Sequence, residues 1–264
     1  MSLTLLFIFG AILGACLASF VNVVAERSVS ERPWWGKERS SCKLCGKILS
    51  TSELIPIISF LVQRGRCRGC GKFIGMRYFT VEIIGAAISG LLLVQWGFSY
   101  TYVITLTAAF LLFINALTDY EDGHIFDIFS IGMLVPAFLF RLPGGIPSIL
   151  NGVYGAAAGF CLFAVIIFVS RGGMGWGDAF LMCGLGAFLG WELILVAFYI
   201  GIMVGGVGVV YLMIRGKVKW GKKQSIPLGP YLAIGGFFTL LYGLDILAYL
   251  NSRLLLQFHS SFPW

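Results

Sequence analysis

Two aspartates stand where long apolar stretches of this 264-residue chain meet short polar segments. Asp119 follows eighteen uncharged, mostly apolar residues, and Asp178 closes a glycine-rich turn that begins at Gly172. A carboxylate in or beside a lipid bilayer is costly, so it is a functional candidate by default. Two such carboxylates at one membrane face would share a proton, and the ionised member would activate water. The pair therefore suggests hydrolysis without a covalent intermediate or a catalytic metal.

The composition indicates a polytopic membrane protein. Hydrophobic residues make up 58% of the chain and charged residues 12%, whereas soluble domains carry about 25% charged residues; the mean hydropathy is +0.91. A full membrane span takes ~20 residues, and the segments that cross or nearly cross a bilayer number eight: 3–25, 79–97, 101–118, 126–141, 148–170, 178–191, 193–214 and 228–250. We therefore predict an all-α protein with about eight transmembrane helices. Its net charge of +7 then belongs to loops beside a lipid bilayer, and nucleic acid is not an expected partner.

The basic residues give the spans a direction, because cytoplasmic loops are enriched in Lys and Arg. Seventeen of the nineteen basic residues lie in three stretches, which are 26–77, Arg171 and 215–223. If 26–76 is cytoplasmic and there are eight spans, only Arg141 and Arg253 fall on the other side. This arrangement predicts extracytoplasmic termini, and it puts Asp119 and Asp178 at the cytoplasmic face.

The predicted organisation has four parts: a first transmembrane helix at 1–25, a small cytoplasmic domain at 26–76, a membrane-embedded domain of about seven helices at 77–250 and an extracytoplasmic tail at 251–264. Positive charge begins only at Arg27, after the first apolar segment, which favours a retained span over a signal peptide. Small residues at Gly10, Gly14 and Ala18 predict close packing of this helix against another.

Four cysteines in the polar domain are spaced like metal ligands. Cys42 and Cys45 form one CxxC pair, Cys67 and Cys70 form a second, and 21 residues separate the pairs. This spacing is close to that of a zinc ribbon, and four thiolates suit a closed, structural zinc site. A cytoplasmic location argues against the alternative of two disulfides. The metal would supply much of the folding energy of a loop that has few apolar anchors.

The acidic neighbours of the two aspartates have simpler interpretations. Glu121 and Asp122 fit a solvated turn, and Asp127 could cap the helix that it begins. A capping role is also the alternative for Asp178, since Asp before Ala-Phe-Leu resembles a helix start.

The glycines before Asp178 are candidates for an active-site loop. Gly175 and Gly177 would let the backbone turn sharply and let a substrate strand approach closely.

Taken in order, these motifs resemble the bacterial type IV prepilin peptidases, the GxGD class of membrane aspartyl proteases. The resemblance extends over nearly the whole chain. Its pieces are Gly14–Val23, the four-cysteine loop, Arg77-Tyr78 with Glu82, Asp119–Asp127, Gly173–Asp178 and Ile226–Ala233.

The resemblance implies that Asp119 and Asp178 are the catalytic pair of a peptidase in the bacterial cytoplasmic membrane. It implies cleavage of a short basic leader, after a glycine, from prepilins or pseudopilins. It also implies N-methylation of the new amino terminus with S-adenosylmethionine, an activity linked to the cysteine loop. Phe79, Phe126 and Phe180 depart from the family pattern, which has Pro, Pro and Lys there. The missing lysine alters the charge near Asp178 and thereby the expected pH optimum.

Other interpretations also fit this sequence. Membrane-buried acids and glycine-broken helices also fit a transporter or channel, although no internal repeat relates the two halves of the chain. A general intramembrane protease is a third possibility. For methyl transfer, Glu53 and Glu82 are candidate helpers, but Glu53 also fits a solvated loop, and Glu82 could instead pair with Arg77.

Overall fold

The computed structural model describes residues 2–34, 39–171, 174–216 and 227–261. Over these ranges the chain is helical, and its β-structure is limited to two isolated bridges in the polar segment after the first helix. The all-α class is thereby confirmed. The chain forms two compact units, Met1–Phe110 and Leu111–Trp264, called here the N-terminal and C-terminal units. The predicted turn residues Gly172 and Gly173 and the basic residues of 217–223 lie outside the described ranges.

The N-terminal unit is built on two long helices that pack closely. Its helices are α1 (Leu3–Val29), α2 (Ile58–Val62) and α3 (Arg77–Trp96), and α4 (Tyr100–Asp122) begins here and continues into the second unit. Gly14 of α1 lies against Gly85 of α3, where a Cβ on either residue would collide with the facing helix. Ala18 is buried in the same contact. The small residues of α1 therefore pack as predicted.

The C-terminal unit packs five helices around one central helix. It comprises α5 (Asp127–Gly132), α6 (Leu134–Arg141), α7 (Gly145–Val169), α8 (Trp176–Leu189), α9 (Trp191–Ile214) and α10 (Gly229–Ser261). The helix α8 packs against α5, α6, α7, α9 and α10. Leu181, Met182 and Leu185 on α8 belong to the buried apolar cluster of the unit. The first turn of this central helix carries Asp178.

Five helical stretches within the described residues are long and apolar enough to cross a membrane: Leu3–Val29, Arg77–Trp96, Tyr100–Asp122, Asp127–Val169 and Trp191–Ile214. Each of the eight apolar segments predicted from sequence coincides with helix. The last of them continues to Ser261, past its predicted end at 250. The chain is therefore a multi-pass membrane protein, while the number of spans stays a prediction.

The fourth predicted span is interrupted between α5 and α6. Pro136 lies in the first turn of α6. A proline has no N–H to donate, and its ring collides with the carbonyl four residues earlier, which here is that of Gly132, the last residue of α5. The proline therefore accounts for the break.

Arg141 has a structural role that the charge count missed. The side chain is 7% exposed, and its guanidinium donates to the carbonyls of Ala187 at 2.7 Å and Phe188 at 3.0 Å. A third hydrogen bond goes to the carbonyl of Ser148 at 2.9 Å. Because the last carbonyls of a helix lack partners and carry partial negative charge, Arg141 caps the carboxyl end of α8.

Candidate active site and metal centre

Asp119 is held by the amino-terminal end of another helix. The residue lies in the last turn of α4 and is 6% exposed. Its Oδ2 accepts a hydrogen bond from the backbone N–H of Gly229 at 2.6 Å. The first N–H groups of a helix have no partner within the helix and favour negative charge. A Cβ at position 229 would lie 2.8 Å from Oδ2, so glycine permits this contact.

Asp178 presents a carboxylate oxygen that has no partner among the described residues. The N-cap of α8 is Gly175 and the helix begins at Trp176, so Asp178 is the third helical residue and the alternative capping role is wrong. Its Oδ1 is buried and accepts no hydrogen bond from the described residues. Asp119 acts on it electrostatically. Two carboxylates of one unit therefore interact, and the described part of the chain supplies no hydrogen-bond donor to one oxygen of the pair.

The two glycines of the predicted active-site loop differ in what their positions require. A Cβ on Gly177 would lie 2.8 Å from the Cβ of Ile125, in the segment that follows α4. Gly177 therefore allows α8 to pack against the chain beside Asp119. Gly175 has an extended backbone with φ −79° and ψ 149°, and a Cβ there would meet only the nitrogen of Gly177 at 4.0 Å. Its backbone geometry does not demand a glycine.

The remaining acids near Asp119 lie at the edge of the site. Glu121 and Asp122 end α4, and the exposed Asp122 lies 3.1 Å from the ring of His124. Asp127 is the first residue of α5 and not its N-cap, which is Phe126. The predicted cap at Asp127 is therefore wrong.

The four cysteines converge in the N-terminal unit. The Sγ atoms of Cys42, Cys45, Cys67 and Cys70 all lie within 4.8 Å of one another, and those of Cys45 and Cys67 are 3.9 Å apart. Zinc–sulfur bonds of about 2.3 Å in a tetrahedron place sulfurs about 3.8 Å apart. The donor set and its spacing therefore fit one tetrahedral metal ion.

The two CxxC segments fold in the same way. The N–H of Cys42 donates to the carbonyl of Lys47 at 2.9 Å, and the N–H of Cys67 donates to that of Lys72 at 3.0 Å. Each turn closes on a glycine of positive φ, Gly46 in the first and a matching residue, Gly71, in the second. This left-handed conformation is one that glycine adopts without a steric cost.

The clustered thiols differ in their surroundings. At Cys45 the hydrogen bond from the backbone of Lys47 is outweighed by desolvation and by the neighbouring sulfurs, so the pKa of the thiol is raised to about 11; Cys67 is the opposite case. Backbone N–H groups of Cys70 and Gly69 lower the pKa of the Cys67 thiol to about 6. The thiolate is the form that binds metals.

Glu53 is part of the framework rather than a solvated loop residue. It is buried and accepts hydrogen bonds from the backbone N–H of Ser50 and from the ammonium of Lys47, each at 2.9 Å. These two donors lower the pKa of the Glu53 carboxyl to about 2. The charged side chain thus stabilises the segment that follows the first CxxC pair, Cys42 and Cys45.

Glu82 does not form the predicted ion pair. Its Oε2 accepts a hydrogen bond from the N–H of Ile57 at 2.7 Å, and the described residues include no basic partner for it. Ile57 has a positive φ of 63°, which is strained for a β-branched residue. Glu82 therefore holds a strained loop against the start of α3.

Comparison with known proteins covers both units. Residues 12–96 match the bacterial peptidase A24 N-terminal domain, and residues 105–210 match the type IV leader peptidase family. A Bacillus subtilis protein named prepilin leader peptidase/N-methyltransferase is 32% identical, over 94% of this chain and 97% of its own.

Proteins of the same name from two other bacteria have a similar sequence identity to this chain. The protein from Aeromonas hydrophila is 32% identical, over 91% of this chain and 90% of its own length. The protein from Pseudomonas aeruginosa is 30% identical, over 94% of this chain and 92% of its own length. No solved structure matches significantly. The paired carboxylates, the cysteine cluster and full-length similarity together lead to one conclusion: the chain belongs to the type IV leader peptidase family.

Proposed function

We propose that this protein is a membrane aspartyl endopeptidase that removes the leader from type IV prepilins or pseudopilins and N-methylates the new amino terminus. The observation that supports the peptidase activity is the electrostatic interaction between Asp119 and Asp178 of one unit, together with an oxygen of Asp178 that has no hydrogen-bond partner among the described residues. The relatives' shared name supports the substrate class and the second activity.

The two carboxylates would carry out general acid–base hydrolysis. The ionised member takes a proton from a water molecule, whose oxygen attacks the scissile carbonyl carbon. The protonated member donates its proton to the carbonyl oxygen, and the collapse of the tetrahedral intermediate breaks the C–N bond as the amine leaves with a proton. The pair titrates as a unit, so neither role belongs to one aspartate alone. The free oxygen of Asp178 is suited to hold the water.

The cysteine cluster would hold a structural zinc ion. Cys42, Cys45, Cys67 and Cys70 would supply all four ligands, which leaves no open position for a substrate, as is typical of structural sites. Metal binding would stabilise the segment between α1 and α3, where the metal ligands replace a large apolar core.

The charge pattern supports a location in the bacterial cytoplasmic membrane with the cysteine domain and the aspartate pair at the cytoplasmic face. Basic residues concentrate in the segment between α1 and α3, which is the signature of a cytoplasmic loop. Both termini would then be extracytoplasmic. A prepilin held in the bilayer by its apolar helix would present its leader at this face.

Incubation of the purified protein with a prepilin peptide and S-adenosylmethionine tests the proposal. Mass spectrometry of the product should show loss of the leader after a glycine and a gain of one methyl group on the new amino terminus. An uncleaved peptide, under conditions where a relative cleaves it, would refute the peptidase. A cleaved but unmethylated product would refute the second activity alone.

A further inference from the structure

A short apolar stretch of the cysteine domain is exposed. It runs from Leu54 to Val62 and ends in the short helix α2. Five of its aliphatic side chains are exposed, namely Leu54, Ile55, Ile58, Leu61 and Val62. Single apolar residues are common on a protein surface, whereas a contiguous group of them indicates a surface with a partner. The surroundings of α2 indicate which partner fits.

The helix α2 has an inner and an outer face. On the inner face, Phe60 stacks on Phe79 of α3 with ring centroids 4.9 Å apart. On the outer face, Ile58, Leu61 and Val62 are each at least 58% exposed. Their spacing of three and four residues puts them on one side of a helix. The inner face therefore fixes α2 to α3, and the outer face is a compact apolar surface.

The contacts with α3 set the height of α2 relative to the bilayer. With 20 residues, α3 is about 30 Å long, which equals the thickness of the hydrocarbon core. A span of this length has no turns to spare outside the membrane. Phe79 and Glu82 are the third and sixth of its residues. Phe60 stacks on the first of them, and the N–H of Ile57 donates to the carboxylate of the second at 2.7 Å. The helix α2 is therefore held at the level of the first two turns of a membrane span.

The backbone of the apolar stretch suits a position beside lipid. An N–H group without a partner is costly there, because acyl chains accept no hydrogen bond. The N–H of Ile57 donates to Glu82. The N–H groups of Ser59 and Leu61 donate to backbone carbonyls four residues earlier, at 3.0 and 3.1 Å. These three donors are therefore satisfied within the protein.

Basic residues follow α2 without acidic ones between them. Arg64 and Arg66 are exposed, and the N–H of Arg64 donates to the carbonyl of Leu61 at 3.0 Å, so the charges begin at the end of the outer face. A basic segment at a membrane surface attracts anionic lipid headgroups. Between residues 54 and 81 the chain has no acidic residue and five basic ones, which are Arg64, Arg66, Arg68, Lys72 and Arg77.

We propose that α2 docks the cysteine domain onto the lipid bilayer. Ile58, Leu61 and Val62 enter the boundary of the acyl chains, and Arg64 and Arg66 bind the phosphates of anionic lipids. An apolar face flanked by basic residues is the pattern of an interfacial helix. The spans already keep the protein in the membrane, so this contact adds orientation rather than anchorage. It holds the cysteine domain against the membrane surface.

A nitroxide label tests the depth of α2 in the full-length protein. The label is attached to a ketone-bearing amino acid coded in place of Leu61, or in place of Ser52 as a control, so the cysteines stay unmodified. Ser52 is an exposed polar residue that precedes the apolar stretch. In nanodiscs of phosphatidylglycerol and phosphatidylcholine in equal parts, collision rates with oxygen and with a water-soluble nickel chelate report the depth. The label at position 61 should lie about 5–10 Å into the bilayer, and the label at position 52 should lie in water.

The two collision rates separate lipid from other partners. A label at position 61 that meets the nickel chelate as often as the label at position 52 would overturn the docking. A label at position 61 that is shielded from both oxygen and the chelate would mean that protein covers the outer face, and lipid would be wrong as its partner. A label in place of Ile58, on the same face, should give the same depth and guards against a local effect of one substitution.

A second experiment tests the anionic lipid. In nanodiscs of phosphatidylcholine alone, the label at position 61 should meet the nickel chelate at least about twofold more often, because each basic residue near an anionic surface favours docking about fivefold. Arg64→Gln together with Arg66→Gln should give this higher rate in the mixed lipids as well. Arg64→Lys together with Arg66→Lys keeps both charges and should behave like the wild type.

Each part of this second result can fail separately. Equal collision rates of the wild type in the two kinds of nanodisc would overturn the role of anionic lipid. A difference between the lipids that persists in the glutamine double variant would overturn the assignment to Arg64 and Arg66.

Discussion

The proposed hydrolysis depends on two carboxylates, Asp119 and Asp178, that interact electrostatically although they come from distant parts of the chain. Asp119 is buried in the last turn of α4, and Asp178 is half-buried in the first turn of α8. Removal of either should abolish the shared-proton mechanism, because the remaining acid cannot both take and donate a proton. We expect Asp119→Asn and Asp178→Asn each to lower cleavage of a prepilin about 100-fold or more, measured in membranes by product mass.

The control for this pair is Asp122→Asn. Asp122 lies one helical turn beyond Asp119 but is exposed. The Asp122→Asn variant should cleave the prepilin at a rate within about twofold of wild type. Substantial cleavage by either Asp119→Asn or Asp178→Asn would contradict the assignment of the pair.

Gly229 offers a second test at the scale of one residue. A methyl group there would lie 2.8 Å from the Oδ2 of Asp119, so Gly229→Ala should displace the carboxylate and weaken its hydrogen bond. Displacement of a catalytic group by even about 1 Å can cost 100-fold, and we expect kcat to fall about 10- to 100-fold. Gly206→Ala on α9, where a Cβ meets open space, is the matched control. Equal activity of the two variants would show that this contact is not needed.

At the scale of elements, we expect the fold of the cysteine domain to depend on a bound metal ion. Four sulfurs within 4.8 Å of one another would repel as thiolates without a cation between them. Metal analysis of the purified protein should find about one zinc per chain, and Cys42→Ser together with Cys45→Ser should lose it and make the segment between α1 and α3 sensitive to protease. Cys161→Ser changes an exposed cysteine outside the cluster. This variant should keep the zinc ion and the protease resistance of the segment between α1 and α3. A wild-type protein without metal would refute the site.

Local patterns in the sequence predict most of these elements. Apolar runs of membrane length locate the helices, and the CxxC spacing locates the ribbon, because both depend on residues close in sequence. The break before α6 was not predicted, although Pro136 is a local signal that could have indicated it.

Contacts between distant residues are not predictable by this route. The partner of Asp119 lies 110 residues further along the chain. Arg141 was counted as a loop charge, although it is buried against carbonyls that follow it by 46 and 47 residues. Only the packing of the C-terminal unit brings these groups together, so their roles emerge from the structure alone.

At the scale of the whole molecule, the orientation of the helices in the membrane decides whether a substrate leader can reach the aspartates. The helix α4 has 23 residues and is about 35 Å long, which exceeds the hydrocarbon core of about 30 Å. Its two ends should therefore lie on opposite sides of the membrane. Ser99 precedes α4 and His124 follows it, and both are exposed.

Cysteine labelling can determine on which side of the membrane each end of α4 lies, with both positions tested in the same background variant. We would replace Cys16, Cys161 and Cys183 by serine, keep the four metal ligands, and add either Ser99→Cys or His124→Cys. A membrane-impermeant maleimide should label Ser99→Cys in intact spheroplasts and His124→Cys only in inverted vesicles. The four ligand cysteines are an internal reference, since after chelation they should react from the same side as His124→Cys. Labelling of both positions from one side would mean that α4 does not span, and the charge-based orientation that puts Asp119 at the cytoplasmic face would then fail.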